Sequence, residues 1–93
     1  MRLVEVVFEK EIVCFGVGTS EIVEIAKKVI SETKDISVQL DGWDEKGNFR
    51  FVVRASAGQS YLENHPEDFV KYATFEMKKF FKKLESEIME VIS

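Results

Sequence analysis

The chain has 93 residues, 45% of them hydrophobic, 12% aromatic and 32% charged, with a formal net charge of −4 at pH 7. That length suits one small domain built on one core, so residues 1–93 are expected to form a single α+β unit. The acidic balance opposes a free-standing nucleic-acid binder, which needs surplus Lys and Arg to displace counterions from phosphates.

The N-terminal residues are apolar but interrupted by Glu5 and Glu9. That is too short and too charged a run for a signal peptide or membrane span, and a cytoplasmic location is the expectation. A single cysteine, Cys14, cannot close an internal disulfide, and it has no Cys or His beside it for a thiolate metal site. Its expected role is a small buried hydrophobe. Two Asn and two Gln beside many Lys and Glu lean towards a thermophile's composition.

In chain order, residues 2–8 (RLVEVVF) and 11–17 (EIVCFGV) are β-branched and aromatic, and both read as strand. Either Glu9 and Lys10 turn the chain into a hairpin, or one long bulged strand runs through. The hairpin is the preferred reading, although neither residue readily takes the positive φ of a tight primed turn. Gly16 and Gly18 then loosen the backbone. Thr19 or Ser20 is expected to cap a helix over 20–33, whose Ile22, Ile25, Ala26, Val29 and Ile30 recur at helical spacing.

Ile36, Val38 and Leu40 next alternate with polar residues, and Phe49, Phe51, Val53 and Ala55 alternate with Arg50, Val52, Arg54 and Ser56. These predict an antiparallel hairpin joined by GWDEKGN, where Gly42 and Gly47 permit the turn. After a polar connection, residues 64–92 read as one long amphipathic helix. At 100° per residue, Phe69, Val70, Ala73, Met77, Phe80, Phe81, Leu84, Ile88, Val91 and Ile92 share an arc of roughly 140°.

Asn64 with Glu67 suggests a capping box, Pro66 suits the first turn, and Glu67 and Asp68 suit the positive end of the dipole. Glu85, Glu87 and Glu90 oppose the negative end, so that end is expected to fray unless something holds it. The predicted architecture is α+β, in the order β(β)αββα. It has an antiparallel sheet of three to four strands and both helices on one face.

Few residues assemble into chemistry. GVGTSE could offer backbone amides to a phosphate, but it lacks the third glycine of a dinucleotide fingerprint and the Gly-Lys-Ser/Thr ending of a P-loop, so an ordinary turn is preferred. Asp41, Asp44 and Glu45 lack the spacing of a calcium loop. The lone His65 sits beside the helix cap with no nucleophile or ligand cluster, and a cap or surface role is preferred. Trp43 at the hairpin tip either stacks on a partner or folds over the core's open end. No enzyme, cofactor or metal site is expected.

The anomaly lies on the polar side of the long helix, where Phe75 falls among Lys71, Lys79 and Lys82, with Tyr72 and Met89 also outside the core arc. Twenty-seven helical residues span about 40 Å, whereas a compact chain of this length has a diameter of about 30 Å. The helix should overhang its sheet with Ile88, Met89, Val91 and Ile92, which asks for a second chain. The candidate partner interface is Tyr72, Phe75, Lys79, Lys82, Met89 and Ile92. Arg50, Arg54 and Lys78 are the candidates for touching RNA.

The strand, the helix over 20–33, the hairpin ISVQL to FRFVVRAS and the long helix after it resemble the small Pcc-type subunits of the KEOPS complex, which makes threonylcarbamoyl adenosine in transfer RNA. The matching residues are chiefly Val52, Val53, Arg54, Ala55 and Ser56 and the amphipathic helix. The family's Leu-Arg and Asn-Ser positions in the last helix have no counterpart here, where Phe69 to Thr74 reads FVKYAT. The resemblance implies a non-catalytic subunit, a divergent relative that dimerises or pairs with a Pcc-type partner through the long helix. The alternatives are an accessory RNA-binding domain and a small soluble α+β protein of another role.

Overall fold

The computed structural model describes residues 5–13, 16–54 and 64–92. Within them the elements follow in the order β1 (Glu5–Glu11), α1 (Thr19–Glu32), β2 (Ser37–Trp43), β3 (Asn48–Arg54) and α2 (Pro66–Ile92). β3 is antiparallel to both its neighbours, giving the sheet order β1-β3-β2. β1 and β2 therefore run parallel and need a crossover, which α1 supplies, and β3 fills the gap between them. Among the described residues the class is α+β, with three antiparallel-paired strands and two helices.

The hairpin expected at Glu9 and Lys10 does not form. Both lie within β1, Glu9 opposite Arg50 and Lys10 opposite Phe49, and no strand follows at Ile12 and Val13. Cys14 and Phe15 lie outside the described residues. The physical reason is that β1 finds its partner in β3, some forty residues on, and its end is tied to the β2–β3 turn. The Ile12 amide donates to the Gly47 carbonyl at 2.7 Å. Gly47 has φ +91°, and a Cβ there would collide with the Ile12 carbonyl oxygen. Only glycine allows both the turn and this approach.

The same turn is braced by Asp44. One carboxylate oxygen accepts the amides of Lys46 and Asn48 at 2.9 and 3.0 Å, and the other accepts the Asn48 side-chain amide at 2.9 Å. The bonds from Asn48 hold the Asp44 carboxyl below its usual pKa. A bulge between Leu40 and Gly42 takes up one extra residue in β2, so the strand extends through Gly42 and Trp43, which the sequence assigns to the loop.

Alternation along β3 sends Phe49, Phe51 and Val53 to the helix-covered face, where all three are buried. They meet Ile22, Val23, Ala26 and Val29 of α1 and Phe69, Ala73, Met77, Phe80, Leu84 and Ile88 of α2. Phe51, Phe80 and Phe81 form an edge-to-face triad with centroids 5.3 to 5.7 Å apart, a geometry that adds to plain area burial.

The helix ends depart from expectation. α1 is capped by the Gly18 backbone, not by Thr19 or Ser20, and no side chain bonds there. The Phe69 amide bonds to the His65 carbonyl at 3.1 Å, which puts the α2 cap at His65, one residue after Asn64 and directly before Pro66. The far end of α2 does not stop short. It runs to Ile92 with no basic residue in its last turn. Glu85 lies 3.3 Å from Lys10, and Glu87 lies 3.4 Å from Lys28, so charges from β1 and α1 offset the unfavourable dipole.

The buried arc of α2 is also narrower than periodicity suggests. Val70, Val91 and Ile92 are exposed, and Ile88 is buried instead of overhanging. Val70 and Ile88 share one helical angle, so the difference comes from what stands over each end. At Ile88 that is Ile12, a member of the same core cluster. The molecule measures 44 × 22 × 18 Å, and the long dimension approaches the roughly 40 Å span of the helix itself. Among the described residues no helix is long and apolar enough to cross a membrane.

Candidate functional site

Two surfaces carry the residues singled out in the sequence, and they lie on opposite sides of the molecule. Arg50 and Arg54 project from the sheet face away from the helices. There Arg50 pairs with Glu9 at 2.9 Å and Arg54 with Glu5 at 2.7 Å across the β1–β3 ladder. Each guanidinium is matched by a carboxylate, so this face offers phosphate little net positive charge. Lys78 is on α2, so the three residues considered for RNA do not form one surface.

The outer side of α2 differs. Phe75 is 61% exposed, with the Lys79 ammonium 5.0 Å from its ring centroid and 3.1 Å from Glu76. Met89 is 61% and Ile92 46% exposed further along the same side. Lys78 and Lys82 have no acidic partner among the described residues. An aromatic ring exposed beside a cation, and an exposed thioether and isoleucine further along, leave apolar surface in water that the isolated chain does not cover. That combination suits a surface met by another molecule.

Tyr72 does not belong to this surface. It is half-buried against the core, and its hydroxyl donates to the Asp35 carbonyl at 2.6 Å. The loop between α1 and β2 rises to meet it, a contact that helical periodicity cannot register. Conversely, Lys10 and Phe81 join the surface. The Lys10 ammonium lies 5.5 Å from the Phe81 ring centroid, and both line a shallow groove with Phe75, Lys78 and Lys82 between β1 and α2.

A second cleft at the end of the helix is lined by Ile12, Val13, Ile88 and Met89, and Val13 is exposed. Reading residues 2–17 as a hairpin hid these neighbours. The sequence signal for them is Lys10, which takes an inward position in the alternation of a single strand.

Elsewhere the geometry is plain. Among the described residues, no group of three or more His, Cys, Asp or Glu side chains converges as a metal site. The amides of Glu21 and Ile22 are taken up by the Gly18 carbonyl, so the GVGTSE turn spends those donors within the helix. Trp43 is half-exposed at the end of β2. His65 stands at the cap of α2. Comparison of the chain with protein-family models, with curated proteins and with solved structures finds no match.

Proposed function

We propose that this protein is a non-catalytic interaction subunit that pairs with a partner through the outer side of its long C-terminal helix. The observation that carries the reading is Phe75, a phenylalanine 61% exposed on α2, in line with Met89 and Ile92 and flanked by lysines. Scattered exposed hydrophobes are ordinary. Three on one side of one rigid helix, Phe75 at one end and Met89 with Ile92 about 21 Å along it, give that side two separate apolar contact points. The revised interface keeps Phe75, Lys79, Lys82, Met89 and Ile92, adds Lys10 and Phe81, and drops Tyr72.

The specific form of this reading is a subunit of a complex that makes threonylcarbamoyl adenosine in transfer RNA, and it rests on the element order shared with Pcc-type subunits. Co-expression with the subunits of such a complex tests it by light scattering of the purified material. Stable co-purification that is lost in Phe75→Asp supports the reading. Failure to associate with any of them removes the complex, and a Phe75→Asp variant that associates as well as wild type removes the helix surface.

A further inference from the structure

The charges on the outer side of α2 say what the second chain is. Taken at alternating steps of three and four, Phe75, Lys78, Lys82, Glu85, Met89 and Ile92 make one continuous seam, and every one of them is exposed. Such spacing keeps a stripe facing a neighbouring helix along its length. The seam is apolar at both ends and charged in the middle, with lysines on the N-terminal side and Glu85 on the C-terminal side.

We infer that the seam is self-complementary and that its occupant is a second copy of this chain, with the two α2 helices antiparallel. This rests on the helix-surface reading given above. In the register that sets Lys82 opposite the second copy's Glu85, the same spacing puts Phe75 on Ile92 and the aliphatic stem of Lys78 under Met89. The two-fold axis repeats each pairing. From Phe75 to Ile92 the seam covers about 26 Å of helix.

Sliding the register by one heptad in one direction places Phe75 against Glu85 and Lys78 against Lys82. Sliding it the other way leaves Phe75 without an apolar partner. A parallel arrangement stacks Lys78, Lys82 and Glu85 each on its own copy, which is repulsive throughout. Only the antiparallel register satisfies all six positions. Within one chain Glu85 already lies 3.3 Å from Lys10, so the arriving Lys82 joins a carboxylate that is held in place. An isologous contact of this kind closes on itself and leaves no open end for further growth.

The test uses the charge pair. Sedimentation of wild type at rising concentration is expected to pass from monomer to dimer. Lys82→Glu and Glu85→Lys each place like charges together twice and should remain monomeric at concentrations where wild type is dimeric. Mixing the two variants should restore a dimer of one chain of each kind, because both contacts between positions 82 and 85 then join opposite charges. The double variant, with the two charges exchanged in one chain, should also self-associate.

A wild type that stays monomeric throughout overturns the inference, as do single variants that dimerise like wild type or a mixture that stays monomeric. Wild type that is monomeric alone yet captures a defined different subunit, with Phe75→Asp losing it, overturns self-pairing and leaves the interaction-subunit reading standing.

Discussion

Phe80 and Phe75 stand five residues apart on one helix and live in different solvents. Phe80 is 3% exposed and packs edge-to-face on Phe51 and Phe81, whereas Phe75 is 61% exposed with the Lys79 ammonium over its ring. Composition cannot separate them, because both are phenylalanines in a stretch rich in lysine and bulky residues. The difference is angular, roughly 140° around the helix axis at 100° per residue, and it divides one element into a part that holds the fold together and a part the fold does not need. A helix with apolar residues on both sides serves two partners, its own sheet and something else.

The inner side can be broken most directly by Phe80→Ala. It removes one member of the aromatic triad, leaves a cavity that the packed sheet cannot close, and should cost about 3–5 kcal/mol, read by thermal or urea unfolding. For a domain of this size that is a large part of total stability.

Gly47→Ala probes the sheet against which that side packs. A methyl group at φ +91° facing the Ile12 carbonyl must displace the end of β1, at an expected cost of about 1–3 kcal/mol. Loss of amide protection at Ile12 in hydrogen exchange would localise the damage.

Tyr72→Phe tests the border between the sides. It deletes the hydroxyl bond to the Asp35 carbonyl while keeping the ring, and about 0.5–1.5 kcal/mol should be lost with no change in association. An effect on association instead would return Tyr72 to the interface.

The smallest effect on folding is expected for Phe75→Asp, about 0.5 kcal/mol or less in the isolated chain, together with loss of partner association in sedimentation. If it unfolds the protein as Phe80→Ala does, the comparison fails, because the helix would then be buried on both sides within its own chain.

Much of this arrangement is legible in the order of residues. Periodicity of 3.6 marks α1 and α2 within a residue or two of their ends. Period-two alternation marks β2 and β3, because each element buries one side and the pattern of buried positions is a local property. The exposure of Phe75 and Met89 follows from the same arithmetic. What local pattern leaves open is which element lies against which.

The single strand Glu5–Glu11 in place of a hairpin depends on Arg50, Arg54 and Phe49 lying alongside it, and on the Ile12 bond to Gly47. Exposure of Val70 against burial of Ile88, at the same helical angle, depends on Ile12 arriving at one end. The half-burial of Tyr72 depends on the loop at Asp35, and the groove beside Phe75 on Lys10 from the opposite end of the chain. Helical and strand periods are set by backbone geometry within a few residues, so the sequence determined α1, β2, β3 and α2 and the main side that each buries, but not the single strand β1 or the width of the buried arc of α2. Strand pairing and the covering of helix ends join residues far apart along the chain, and those only the tertiary structure decided.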